Sequence, residues 1–291
     1  MLYTIENEKL KVSISDKGAE LQNIILKSDG TEYLWQGDER FWSGRAYNLF
    51  PICGRLTDGR YTYKGKTYNM NLHGFARASF FRAEMISDTK AAFVLTPDDE
   101  IRTQYPFDFL FRVTYSLNDT ELTVSFDVVN NDTDDMYFGI GGHPGFNVPL
   151  CQGESFEDYY LEFDCEKPAK RLVFTPLFDT GKTEPFPLKE GKILELKHSL
   201  FDNDAIFLTD MCGSVTLKSR KSGKRVRVEY PGMKYLGLWH APHTEAPYIC
   251  IEPWCSLPSY DGVVDDLETK HEMTKLGSGC EYNNMFKIKI T

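Results

Sequence analysis

Three segments of this chain place an ionisable side chain beside glycine or proline, where proton transfer or ligand contact is easiest to arrange. Residues 48–60, continuing through 71–77, carry Arg55, His73 and Arg77. Residues 139–146 carry His143, and residues 249–254 carry Glu252. Glycines before His143 and proline after it are expected to stop regular strand pairing and free the backbone to aim the imidazole into a cavity. Glu252 is expected to close an apolar strand, because Pro253 has no N–H to continue a ladder. Burial at such a strand end raises a carboxyl pKa and makes it a better base near neutral pH. Each residue also has an ordinary reading. A histidine or glutamate at a strand end is commonly solvated or locally capped, and Arg55 has Asp58 and Asp38 nearby as surface partners. Spacing alone does not bring the three segments together.

The elements that must position these groups have period two. In residues 121–130, Leu122, Val124, Phe126 and Val128 alternate with Thr123, Ser125 and Asp127, as a half-buried strand does. Shorter runs of the same kind lie at 9–15, 91–96, 109–117, 205–209, 214–219, 225–230, 235–239, 248–252 and 285–290. Lys64-Gly65, Asn118-Asp119 and Ser222-Gly223 are placed as hairpin turns. Helical signals are few: Pro97-Asp98-Asp99-Glu100 opens about two turns, which Pro106 ends. With no repeat, low-complexity tract or linker, the pattern predicts one all-β domain over residues 1–291, a large antiparallel sandwich with few short helices.

Composition narrows the partners. Of 291 residues, 41% are hydrophobic, enough to bury a full core. The formal net charge of −10 argues against nucleic acid, which needs a dominant basic face. Two or three local cations would still suffice for a phosphorylated small molecule. Seven cysteines, at 53, 151, 165, 212, 250, 255 and 280, form no CxxC pair and read as reduced thiols. No signal peptide or membrane-length apolar run is seen, so a cytoplasmic location is expected. His240-Ala241-Pro242-His243 resembles a metal pair by composition, but the intervening proline and missing third ligand favour a structural loop.

The motifs together resemble the aldose 1-epimerase family, the galactose mutarotases. Gly-Arg-Leu-x-Asp-Gly-Arg-Tyr at 54–61 is followed by a hairpin, Asn-Leu-His-Gly at 71–74, Gly-His-Pro-Gly-Phe at 142–146 and Ile-Glu-Pro-Trp at 251–254. The resemblance runs from about residue 14 to 258, and it implies a β-supersandwich with a sugar site on its concave face. It also implies roles: Glu252 as general base, His143 as proton donor to the ring oxygen, and His73 and Arg55 as hydrogen-bond donors to the sugar. Asp204, in Asp-x-x-Phe, matches a substrate-contacting aspartate, although Asp202 stands two positions earlier and a turn-capping role is equally available. Interconverting anomers requires a base for the C1 hydroxyl and an acid for the ring oxygen, expected on opposite sides of the sugar. No cofactor and no catalytic metal are expected. Trp239 offers a flat face to sugar C–H groups, or else belongs to core or rim.

Three readings stay open on this family scaffold. The chain is a mutarotase of a free aldose such as galactose or glucose, a hexose-6-phosphate 1-epimerase, or a non-catalytic sugar-binding protein. Pro51-Ile52 and His73-Gly74-Phe75-Ala76-Arg77 resemble the phosphosugar branch, where Arg77 would join Arg55 in a cationic clamp. In a free-sugar enzyme Arg77 would instead brace the His73 loop. Both histidines and Glu252 argue against a mere binding module. A glycosidase would need two flanking carboxylates, and only Glu252 has a suitable setting. The partner is expected to be a small monosaccharide, with no nucleic acid or membrane, and the protein a monomer or homodimer.

Overall fold

A computed structural model describes residues 1–164 and 168–291, so Cys165 lies outside the described residues. The chain is an antiparallel β-supersandwich dominated by two large sheets. The nine-stranded sheet runs, edge to edge, Ile193–Glu195, Tyr159–Phe163, Ser214–Ser219, Arg225–Glu229, Glu281–Ile290, Glu121–Asn130, Phe109–Asn118, Lys90–Leu95 and Arg82–Ser87. Glu281–Ile290, the last strand in chain order, therefore sits in the middle of this sheet. The seven-stranded sheet runs Asp179–Pro185, Lys170–Phe174, Ile206–Thr209, Tyr235–Trp239, Tyr248–Trp254, Gly141–Asn147 and Ala46–Leu49.

Local chemistry accounts for the connections. Lys64 (φ 49°) and Gly65 (φ 73°) both take the left-handed conformation that a two-residue hairpin requires. The helix Asp99–Gln104 is capped by Asp98, whose carboxylate accepts the Ile101 N–H at 2.8 Å. Among the described residues no helix is long and apolar enough to cross a membrane.

Alternation decides which side chains reach the core. Along Tyr248–Trp254, Ile249 and Ile251 enter the main apolar cluster between the sheets. Tyr248 and Cys250 turn to the opposite face with Trp35 and Ala246, and Trp254 turns there with Leu49 and Phe207. Glu252 shares that second face by parity. Leu236 and Leu238 likewise fill the main core, leaving Trp239 on the other side. An aromatic layer closes the interior, with Phe50 stacked on Phe111 at 4.5 Å between centroids. The seven-stranded sheet thus has one face committed to the core and one to a cavity.

Two expectations about this sheet are corrected. The strand does not end at Glu252: it continues to Trp254, and Pro253 is paired in register with Leu236. Nor do the glycines and proline around His143 abolish pairing, since Gly141–Asn147 is a strand and His143 sits opposite Tyr47. Pairing lapses only on the other side, between Gly141↔Trp254 and Gly145↔Cys250, where Pro144 and Pro253 bring no N–H. The glycines provide room. A Cβ on Gly141 would lie 2.7 Å from the Trp254 ring, and one on Gly145 would lie 3.1 Å from the Trp42 ring.

Candidate active site

The lapse in pairing is where His143 and Glu252 sit. Two residues inward from Gly141↔Trp254, the same register opposes His143 and Glu252 on neighbouring strands. Their side chains meet, with His143 Nε2 3.3 Å from Glu252 Oε2. Both are buried, at 7% and 2% exposure. They are adjacent groups on one wall rather than groups on opposite sides of a ligand, which corrects the sequence reading.

Burial also sets the charge state of the pair. Loss of solvent pushes the Glu252 carboxyl well above its ordinary range, with the negative charge of Asp204 adding to the effect. The same loss pulls His143 down to about 3. Each group is driven toward its neutral form, so the resting pair holds one proton and no net charge.

His73 approaches from the loop after the hairpin, its ring edge-on to His143 at 5.5 Å between centroids. It takes a positive φ of 64°. The Gly54 N–H donates to its Nδ1 at 3.0 Å, so the ring proton resides on Nε2 and His73 is a hydrogen-bond donor. Desolvation, followed by the proximity of His143 and the positive charges of Arg77 and Arg55, holds it well below its usual pKa and neutral. Gly54 is the one residue that fits here. Its φ is +79°, and a Cβ would meet Pro258 Cγ at 2.4 Å.

The other residues expected to contact the sugar, Arg55, Arg77, Asp204 and Trp239, line the same cavity, of about 460 Å³. Asp204 accepts the Trp239 indole N–H at 2.8 Å. Asp202 instead faces His243 at 3.5 Å. Arg77 Nε donates to the Leu72 carbonyl at 3.2 Å, and its guanidinium lies 5.2 Å from the centre of the Tyr47 ring. It braces the turn that carries His73. Arg55 is exposed, and its two suggested partners are taken by Arg60 and Arg40. His240 and His243 diverge: His240 is buried against His198, Nε2 to Nδ1 3.1 Å, and His243 is exposed beside Asp202.

The sequence reading missed several cavity residues. Trp42 lies 4.9 Å from His143 between ring centroids, tilted 32° to it. It comes from an irregular segment with no period to read. Trp254 and Tyr47 were legible in principle, as a residue two positions from Glu252 and as the neighbour of Asn48 in the first segment. Cys250 does not line the cavity, but its Sγ lies with the donor atoms of His143 and Glu252 inside 4.8 Å of one another. Those three could surround an ion by composition. Complete burial and the neighbouring Glu252 push the Cys250 thiol far from the thiolate that zinc takes.

Comparison with known proteins decides the family. The aldose 1-epimerase family profile matches residues 1–270. The chain belongs to the aldose 1-epimerase family. Protein LacX of Lactococcus lactis subsp. lactis is 39% identical over 287 residues, covering 95% of each chain. Two solved structures overlay closely. A galactose mutarotase related enzyme from Lactobacillus acidophilus gives a TM-score of 0.94 at 36% identity, covering 100% of this chain and 97% of the other. A galactose mutarotase-like protein from Lactobacillus casei gives 0.95 at 35% identity, with 100% of both chains covered. This aldose 1-epimerase family member places His73, His143 and Glu252 in one buried wall of one cavity.

Proposed function

We propose that this protein interconverts the α and β anomers of a free aldose of the glucose or galactose kind by acid–base ring opening. The observation that carries the reading is the buried His143–Glu252 pair, 3.3 Å apart, on the wall of a sugar-sized cavity. Bound hydroxyls that donate to Glu252 favour its ionised form and shift the shared proton to His143. Glu252 then takes the O1 proton as the C1–O5 bond breaks, its electron pair going to O5, which receives the His143 proton. The aldehyde rotates about C1–C2, and the reverse transfers close the ring on the other face. The pair carries one proton before and after. His73 Nε2–H and Arg55 donate to hydroxyls and hold the reacting carbon in place. Asp204 and Trp239, tied to each other, frame a further wall.

Polarimetric mutarotation of glucose and galactose tests this. Glu252→Gln and His143→Asn keep shape and are expected to lower kcat by about 10²-fold or more, with folding intact and KM changed less. A chelator is expected to leave the rate unchanged. Near-wild-type turnover by folded Glu252→Gln would refute the mechanism.

The hexose 6-phosphate reading keeps one supporting observation, the exposed Arg55 on the cavity with no carboxylate partner among the described residues. We favour the neutral sugar because Arg77, the second member of the supposed clamp, is engaged with Leu72 and Tyr47. A preference for glucose 6-phosphate that Arg77→Ala abolishes and salt weakens would reverse that choice.

A further inference from the structure

The chain has no strand and no helix between Trp254 and Thr274, so side chains must fix this stretch. Lys270 does so from inside the protein. It is buried, at 6% exposure, and its ammonium donates to the Leu257 carbonyl at 2.8 Å and the Pro258 carbonyl at 3.2 Å. It makes no ion pair among the described residues, and Asp265 and Asp179 act on it only at a distance. Burying an ammonium with no carboxylate in contact is costly, and lysine is rarely buried unless paired. What this charge holds is the pair of carbonyls.

Those carbonyls belong to the stretch that backs the His73 loop. His271 Nε2 donates to the same Pro258 carbonyl at 2.9 Å, its ring stacked on Tyr260 at 3.7 Å between centroids. The Ser259 N–H donates to the Arg55 carbonyl at 2.9 Å. The Ser259 Oγ accepts the Thr57 N–H at 3.1 Å and donates to Asp265. The Pro258 ring fills the space beside Gly54, 2.4 Å from where a Cβ would lie. Gly54 in turn holds His73 twice, accepting its backbone N–H at 2.8 Å and donating to Nδ1 at 3.0 Å. An unbroken run of contacts links Lys270 to the His73 imidazole.

We propose that Lys270 is a positioning residue for His73: it fixes Leu257 and Pro258, which hold Gly54 against the imidazole and keep Nε2–H aimed at the sugar. The proposal rests on the anomer-interconverting reading above. An ammonium suits the task because its three N–H groups fan out and can bind two successive carbonyls. Charge-assisted bonds of this kind are roughly twice as strong as neutral ones. His73 needs the support, since it lies in a loop with a φ of 64° and has no strand ladder of its own. Its tautomer is set by the hydrogen bond at Nδ1. Misplacing such a group by about 1 Å can cost on the order of 10²-fold in rate.

Two variants test the link at different points. Lys270→Met keeps the apolar stem and removes the charge, and Pro258→Ala keeps the charge and removes the ring that backs Gly54. Nitrogen NMR of His73 reads the positioning without any need for turnover. The wild type is expected to show one neutral tautomer, protonated at Nε2, and both variants a mixture of two. Lys270→Met is expected to lower kcat/KM for glucose by about tenfold, but by less than about twofold in a His73→Asn background. Leu161→Ala, a core truncation in the nine-stranded sheet, supplies a destabilised control and is expected to keep the wild-type tautomer and rate. A single tautomer in either folded variant would overturn the proposal. So would an unchanged rate in Lys270→Met, or a full tenfold loss from it when His73 is already asparagine. If Lys270→Met fails to fold, the tautomer signal of Pro258→Ala decides alone. A wild type inert towards both glucose and galactose would instead bring down the anomer-interconverting reading, whatever the His73 signal shows.

Discussion

At the scale of single residues, the site turns on where one proton resides. With His143 drawn down to about 3 and Glu252 pushed up, the pair gains a second proton only in strong acid. It loses its last proton when the pH passes the raised carboxyl value. The acid limb of kcat/KM for the free enzyme therefore belongs to the histidine and the alkaline limb to the carboxyl, the reverse of what ordinary pKa values imply. Nitrogen NMR of His143 checks this: a neutral imidazole is expected at pH 7 without sugar, turning toward imidazolium when sugar binds. An imidazolium signal in the ligand-free protein would contradict it. The sequence displayed the residue types and motif order. It did not display adjacency, because the His143–Glu252 contact depends on a strand register set by residues over a hundred positions apart.

At the scale of elements, much was legible because period-two patterns decide faces. Glu121–Asn130, Ser214–Ser219 and Tyr235–Trp239 match their expected bounds, and most of the other expected runs differ by a residue or two at their ends. The behaviour of Pro253 was misread, because a proline lacks a donor on only one edge of its strand and can pair through its carbonyl side. Trp42 was invisible for the opposite reason: irregular segments carry no period. The Gly54 turn offers a clean measurement here. Gly54→Ala is expected to cost about 1–2 kcal/mol for the left-handed backbone, and more from the contact with Pro258. Gly65→Ala, with a similar φ of +73° and nothing within 4 Å, is expected to bear only the backbone cost. Urea unfolding compares the two. Only Gly54→Ala is also expected to lower kcat/KM, by about tenfold or more, because relieving the clash with Pro258 moves the residue-54 N–H away from His73 Nδ1, whose tautomer it fixes. Equal activity in both variants would remove that role from Gly54.

At the scale of the whole molecule, buried histidines tie stability to pH. His143 and His240 are held near 3 and 4, and His73 well below its usual value, by desolvation. Their unfolded forms take up protons near pH 6.5. Between that value and the folded ones the unfolded state binds more protons, so stability falls as the solution is acidified, by roughly 1.4 kcal/mol per pH unit for each fully shifted group. Glu252 acts in the opposite sense above its unfolded value, but it is one group against three. The urea midpoint is therefore expected to drop from pH 7 to pH 5, before the acid limb of the rate is reached. His240→Phe, set among Phe156, Phe201 and Tyr248, is expected to flatten that slope. An unchanged slope would show that His240 titrates normally in the folded protein.

The central position of Glu281–Ile290 has a consequence for how the protein is made. Its neighbours, Glu121–Asn130 and Arg225–Glu229, leave the ribosome well before it. At about 5–20 residues per second, the Glu121–Asn130 edge waits on the order of ten seconds for its partner. During that interval two open strand edges, rich in valine, phenylalanine and leucine, are left without a partner strand. The two four-stranded halves of the nine-stranded sheet therefore join only when Glu281–Ile290 is inserted between them.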